Sequence, residues 1–232
     1  MKRWHFTMDD QKILKSDDGS DTILSEKFGV TYHSTFGAVD ESITVFLSAG
    51  LQYHLLRGRK KIRIFEMGFG TGLNAFLTLL ESKKHPETKM AYSGIELYPI
   101  KPQQATQLNY PQYLSVEKFN NEFLAMHKCP FDEWQHISDA FKFRKFHKSI
   151  LEIELDQMFD LIYYDAFAPT TQEELWTPAI TEKMYAHTNP GGVLVTYCAK
   201  GSFKRALKSA GYNIESLPGP TGKREMTRAI RV

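Results

Sequence analysis

Three carboxylates stand at or near the ends of short apolar runs in this 232-residue chain: Glu66 in IRIFEMGFG, Glu96 in MAYSGIEL and Asp165 in FDLIYYDAF. A carboxylate in such a place can hold a cation, accept hydrogen bonds from ribose hydroxyls or take up a proton. Glu66 opens the pattern ExGxGxG, in which Gly68, Gly70 and Gly72 let the backbone turn sharply and approach a ligand before a helix begins at Leu73. Dinucleotide sites instead carry GxGxxG, with a pyrophosphate on the helix N-terminus. An acid two residues ahead of the first glycine is awkward beside phosphate and natural beside the sulfonium and ammonium of S-adenosylmethionine. Glu66 therefore discriminates between the two ligands. Glu96 closes the next strand-like run, where an acid can accept both ribose hydroxyls. Asp165 follows the strand Leu161 to Tyr164 on the same edge, and there it can hold an amine nucleophile, orient its lone pair toward a methyl group, or accept its proton. A helix cap or loop hydrogen bond is the alternative role for Asp165.

The elements that must position these acids alternate strand and helix. Leu73, Phe76, Leu77 and Leu80 make the apolar face of a helix ended near His85 and Pro86. Pro99 and Pro102 open a polar helix through Leu108, and Val116 to Met126 reads as another. Phe141 to Phe146 alternates aromatic and basic residues as a half-exposed third sheet strand would. The cofactor base lies beyond the carboxyl ends of such strands, which favours His147 to Ile150, with Ser149 as the adenine contact and Asp139 as its rival. Glu173 to His187 reads as a helix, Asn189 to Gly192 as a turn, and Val193 to Cys198 as a fifth strand. A basic helix, Lys200 to Ala210, precedes a sixth strand, Ile214 to Leu217, and an alternating strand from Met226 to Val232.

Ahead of this unit, Lys12 to Ser16 and Thr22 to Tyr32 form a hairpin around Asp17 to Ser20, followed by a helix over Glu41 to Leu56 capped by Ser34 or Asp40. Residues 1–56 are thus expected to be an N-terminal β hairpin and helix appendage, and 57–232 the catalytic domain. Tyr32 and His33 either pack on the helix or line the site. The fold class is α/β, a Rossmann-like doubly wound sheet, mostly parallel with a C-terminal antiparallel strand.

Composition narrows the function. Cys129 and Cys198 lie in no CxxC or Cys/His cluster, so no disulfide framework and no metal site is expected. The start MKRWHFTMDDQKILKSDDGSD has charges where a signal peptide would be apolar, and no run is long enough to span a membrane, so a soluble cytoplasmic protein is expected. Net charge is only +2, but Lys200, Lys204, Arg205, Lys208, Lys223, Arg224, Arg228 and Arg231 would make a phosphate-binding surface if they share a face. Lys142, Arg144, Lys145 and Lys148 could also touch RNA phosphates, or simply form a solvated strand face. Phe167, Pro169 and Trp176 offer flat surfaces on which a base could stack, or pack beneath the loop.

EMGFGTGLNAF, YYDAFAP followed by ELWT, NPGGVLVTYCAKG and LPGPTGKREM together resemble the methyltransferase half of the bifunctional MnmC tRNA-modification family, and its stand-alone relatives more closely. The resemblance runs from about Tyr32 to the C-terminus and implies a class I fold that uses S-adenosylmethionine. It implies methylation of the exocyclic amine of 5-aminomethyl-(2-thio)uridine at the tRNA wobble position, with the anticodon stem-loop as partner. No segment matching the oxidase half of that family is expected. By motif, Glu66, Gly68, Gly70, Gly72 and Asn74, with Leu73 between, form the methionine-side loop, and Glu96 the ribose contact. Asp165 and Phe167 would face the substrate, while Lys223, Arg224 and Glu225 would stand beside the pocket. The departure is Ser149, where the family usually has an acid. Two other functions fit parts of the pattern: methyl or aminopropyl transfer to a small-molecule amine, and a non-catalytic RNA-binding module.

Overall fold

The computed structural model describes residues 12–232. The charged start through Gln11 lies outside the described residues. Strands β1 (Ile13–Lys15) and β2 (Asp21–Ile23) form the hairpin. Its second strand ends far short of Tyr32, because the chain turns at Ser25 to Gly29 and re-pairs only at a Leu24–Thr31 bridge. Helix α1 begins at Ala38, ahead of the expected start, as an α-helix over Ala38–Ser42, a π-helix over Ile43–Leu51 and a last turn Gln52–Leu55. Neither Ser34 nor Asp40 caps it. The hairpin does so instead: Ser16 Oγ, Ser20 Oγ and Asp18 Oδ2 accept the N–H groups of Ala38 (3.2 Å), Val39 (3.3 Å) and Asp40 (3.3 Å). Burial pushes the Asp18 carboxyl up, but hydrogen bonds from Ser20, Ser16 and Asp40 outweigh it and hold the group below its ordinary 3.8. Its contribution is therefore present above that value and lost as pH falls below it. Asp18→Ala should cost about 1 kcal/mol at neutral pH, shrinking toward pH 3, in denaturant titrations at both pH values.

The main sheet has eight strands: β3 (Lys61–Met67), β4 (Lys89–Ile95), β5 (Gln135–Ser138), β6 (Phe141–Phe146), β7 (Phe159–Tyr164), β8 (Thr188–Thr196), β9 (Asn213–Pro218) and β10 (Glu225–Ile230). Their order is β5-β6-β4-β3-β7-β8-β10-β9, with β6, β4, β3, β7 and β8 parallel and β5, β9 and β10 antiparallel to their neighbours. This is the expected doubly wound class I methyltransferase architecture; the antiparallel edge strand β5 is an addition the sequence did not suggest. Crossovers run from β3 outward to β4 and β6, then return to β7 on the other side of β3. The carboxyl edge beside β3 is thus the switch point where such sheets bind ligands.

Helices α2 (Leu73–Lys84) and α3 (Asn120–Lys128) join α1 on one face, where Phe46, Ile64, Phe76 and Phe123 fill a core. Helices α4 (Pro178–Ala186) and α5 (Gly201–Ala210) cover the other, over Phe65, Ile162, Met184 and Phe203. Gly50 lets α1 press onto the sheet: a Cβ there would stand 3.0 Å from Val195 and 3.1 Å from Leu161.

Four expectations need correction. The helix over Glu173 to His187 is broken, with a 3-10 turn at Glu173–Trp176 and a new start at Pro178, whose fixed φ and missing N–H suit a first helical position. Asn189 to Gly192 lies within β8, with a register shift against β7. The helix after Pro102 is one turn, Pro102–Ala105, followed by another at Tyr110–Tyr113. Strand β6 is not half-exposed, since Arg144 and Lys145 are both buried. Among the described residues no helix is long and apolar enough to cross a membrane.

Candidate active site

Where β3, β4, β6 and β7 end, a cavity of about 350 Å³ opens between the glycine turn, the loop after Glu96, Ser149 and Ile150, and the Asp165 loop. The glycine turn is tied down by its own backbone, as Gly68 and Phe69 donate N–H groups to the Ile95 carbonyl at 3.1 and 3.0 Å. Gly68 sits at φ +92°, and a Cβ there would overlap the Asp165 carbonyl oxygen and stand 3.0 Å from its carbon. At Gly70 a Cβ would meet the Tyr32 ring at 2.8 Å. The two glycines therefore let the Asp165 backbone and the Tyr32 ring pack directly against the turn, and the cavity opens beside them.

Acids surround this turn. Glu96 accepts the N–H of Gly70 at 2.9 Å on Oε2 and of Tyr98 at 2.8 Å on Oε1, which fixes both oxygens while leaving lone pairs for hydroxyl donors. Glu66 is fully buried beneath: its Oε1 accepts Asn74 Nδ2 at 2.9 Å and its Oε2 has no hydrogen-bond partner. The same Asn74 nitrogen donates to Asp165 Oδ2 at 2.7 Å, so one amide bridges two carboxyls. Burial, reinforced by the Asp165 charge, holds the Glu66 carboxyl well above its ordinary range. Burial likewise pushes Asp165 up to about 8, with the Glu41 charge adding to the rise and Asn74 and Lys223 opposing it. Glu96 is raised by burial against its backbone hydrogen bonds. A positive ligand in the cavity would lower all three.

Behind the turn, His33 Nε2 lies 2.7 Å from Thr71 Oγ1, which also accepts the Tyr110 hydroxyl at 3.0 Å. With Tyr110 as donor, Thr71 donates to His33, whose Nε2 is then unprotonated; burial, which lowers His33 to about 4, keeps it neutral. His33 thus braces the turn from the hairpin side.

The remaining expected residues divide. Tyr32, Ser149, Ile150 and Phe167 line the cavity, whereas Asp139 lies at the far end of the strands in a separate hollow, which favours Ser149 for the base. Glu66, Gly72, Leu73 and Asn74 do not form its wall: Glu66 is fully buried beneath the turn, Gly72 packs under His127 and Phe69, Leu73 is in the core, and Asn74 acts through the two carboxyls. Trp176 is no stacking surface; it is buried against Tyr164 and Phe203, and its Nε1 donates to the Phe167 carbonyl at 2.8 Å, which sets the loop. Lys223, Arg224 and Glu225 also stand outside the wall. Lys223 pairs with Glu41 and lies 4.0 Å above the Tyr197 ring, Glu225 pairs with Lys204 at 2.9 Å, and Arg224 is exposed. The expected basic face is correspondingly smaller, since Arg228 pairs with Glu215 at 2.6 Å and Arg231 donates to the carbonyls of Tyr185 and Thr188.

Sequence reasoning named Tyr32 and Phe167 but missed Lys27, Phe28 and Tyr98, which complete the rim. Phe28 lies 5.0 Å from Phe167 and 5.7 Å from Tyr98, Tyr32 lies 5.1 Å from Phe167, and Lys27 Nζ stands 3.4 Å over the Tyr98 ring. The available signal was Ser25 and Gly29, turn formers that place Phe28 on a loop tip rather than in a strand.

A family model described as S-adenosyl-L-methionine-dependent methyltransferase matches residues 113–232. The chain belongs to this family. The methyltransferase is also similar along most of its length to bifunctional proteins of tRNA 5-methylaminomethyl-2-thiouridine biosynthesis, MnmC. It is 25% identical to that of Aromatoleum aromaticum over 95% of this chain and 35% of the relative, and 29% identical to that of Idiomarina loihiensis over 88% and 36%. The chain therefore spans about a third of the length of the curated relatives it matches. Among solved structures, MnmC2 from Aquifex aeolicus superposes with a TM-score of 0.76 at 25% identity, covering 95% of this chain and 69% of that one.

The residues fit the cofactor. Glu96, on the cavity wall with lone pairs left for hydroxyl donors, suits a ribose, and the Asp165 carboxyl on the same wall suits a cationic ligand.

Proposed function

We propose that this methyltransferase methylates the exocyclic amine of 5-aminomethyl-(2-thio)uridine at the tRNA wobble position, giving 5-methylaminomethyl-(2-thio)uridine. The observation that carries the amine assignment is Asp165, a carboxyl at the cavity wall with a proton affinity near neutrality, held by Asn74. Bound S-adenosylmethionine would supply an activated methyl group. Glu96 would hold its ribose, Ser149 and Ile150 its base, and the Gly68–Gly70 turn its methionine part above Glu66. Asp165 faces the same cavity and would receive the incoming amine, orienting its lone pair and taking the proton released as the nitrogen alkylates. Alignment of donor and acceptor at near-attack distance supplies much of the acceleration, because the leaving group is already good.

The aromatic rim supports a nucleobase as the carrier of that amine. Phe28, Tyr32 and Phe167 present rings at the mouth, and a base splayed from a single-stranded loop can stack on such rings. Lys27, beside Tyr98, places positive charge there for a phosphate. The relatives' names, which refer to 5-methylaminomethyl-2-thiouridine biosynthesis, support the same substrate.

The test is methyl transfer in vitro to tRNA from cells lacking this enzyme, read by nucleoside mass spectrometry. Conversion of aminomethyl- to methylaminomethyl-uridine is expected. Phe28→Ala should raise KM for tRNA by roughly tenfold, since a stacked base is worth about 1–3 kcal/mol, with cofactor affinity unchanged. Methylation of free polyamines but not of tRNA would overturn the proposal.

A further inference from the structure

One face of the central strands changes character along its length. Alternation puts Lys61 and Arg63 of β3, Lys89 of β4, and Lys142 and Arg144 of β6 on the same side of the sheet, because Ile62, Tyr92 and Phe143 fill the core on the other. Toward the carboxyl edge this side is apolar and joins the second core through Phe65, Ile95 and Phe146. Toward the amino edge it is basic and open.

Register places Lys61 beside Lys89, and puts the small Ala91 between Arg63 on one side and Lys142 on the other. The missing bulk at Ala91 leaves a hollow of about 310 Å³ floored by the sheet and walled by cations. Arg144 is committed to Asp156 at 2.6 and 2.9 Å, and Lys89 donates to the Asp139 carbonyl at 3.0 Å. Lys61 and Arg63 are exposed, Lys142 is half-buried 4.1 Å from the Trp134 ring, and none of the three has a carboxylate within ion-pair distance among the described residues. His136 and Ser138 of β5 close the wall, with Ser138 Oγ lacking any hydrogen-bond partner; Asp139 contributes the wall's one carboxylate. Like charges on adjacent strands destabilise a sheet. A polyanion spread across three strands, about 10 Å wide, would reverse that penalty.

We propose that this hollow binds the phosphodiester backbone of an RNA stem. From Arg63 to Gly68 is about 17 Å along the strand, so a stem held here lies within reach of a loop presented to the active-site cavity. The identity of that RNA as tRNA rests on the proposed function; the phosphate contact itself does not.

The test uses fluorescence anisotropy with an unmodified tRNA transcript, which carries no methyl-accepting amine. The triple variant Lys61→Ala, Arg63→Ala, Lys142→Ala should bind about tenfold or more weakly near physiological salt, and the slope of log affinity against log salt should fall by about 2, at roughly 0.7–0.9 per lost phosphate contact. Calorimetric affinity for S-adenosylmethionine should be retained, and the melting temperature should not fall. Equal affinity and slope in variant and wild type would overturn the proposal. So would stabilisation of the wild type alone by inorganic pyrophosphate with unchanged tRNA affinity, which would assign the hollow to a free polyphosphate. Wild-type protein that binds the transcript but methylates no aminomethyl-tRNA would instead sink the substrate assignment and leave the hollow standing.

Discussion

Asp165→Asn should lower methyl transfer by about 10²–10⁴ while changing affinity for S-adenosylmethionine less than tenfold. The variant keeps an oxygen to accept the Asn74 amide (2.7 Å to Asp165 in the wild type), so the loop is preserved and only the proton acceptor is lost. The free wild-type carboxyl titrates at about 8, raised by burial first and by the Glu41 charge second, and it must be ionised to accept a proton. Its kcat/KM for S-adenosylmethionine should therefore rise with pH through that region and level off above it, whereas the variant should lack this limb. A cation bound nearby favours the ionised form, so cofactor binding should release protons between pH 7 and 8, detectable by calorimetry in buffers of different ionisation enthalpy.

The same shift fixes a stability signature. The folded pKa, about 8, exceeds the ordinary 3.8, so the unfolded chain loses its proton first as pH rises. Stability that this group contributes is complete below the ordinary value and is lost as pH climbs to the folded one. Asp165→Asn should thus melt several degrees above the cofactor-free wild type at pH 8, on the order of 1–3 kcal/mol, with the gap closing toward pH 4. A variant with unchanged transfer at every pH would remove Asp165 from the chemistry.

Gly68→Ala should be the most damaging backbone change. Two costs combine there: φ is +92°, and the new methyl would overlap the Asp165 carbonyl oxygen, which is backbone and cannot rotate away. Together about 2–4 kcal/mol is expected, with cofactor affinity weakened at least tenfold because the turn and the Asp165 loop move apart. Gly58 supplies the control, at φ +70° with nothing within 4 Å of its added Cβ. Gly58→Ala should cost only about 1 kcal/mol and leave cofactor binding intact. Equal losses in the two variants, by thermal melts and calorimetry, would show that close approach is not what Gly68 provides.

The glycine turn and the acids at the carboxyl edge were legible because their signals are local. Three glycines at alternate positions can only turn the chain tightly, and an acid ahead of them marks the turn in the sequence itself. Strand periods of two placed Glu96 and Asp165 on one edge, as the doubly wound order requires. The bases misled for the opposite reason. Whether Arg228, Arg231 or Lys223 is available for phosphate depends on carboxylates and carbonyls brought in from distant elements, Glu215, Tyr185 and Glu41 among them.

By itself, then, the sequence determined the fold class, the glycine turn and the acids at the carboxyl edge, since backbone freedom, strand alternation and side-chain charge act within a few residues. Only tertiary structure decided that the hairpin turn caps α1, that Trp176 packs beneath the loop and does not offer a stacking surface, that Phe28 and Tyr98 rim the pocket, and that Lys61, Arg63 and Lys142 share a hollow. Each of these depends on which strands lie side by side and in what register, and pairing across tens of residues leaves no mark in local spacing.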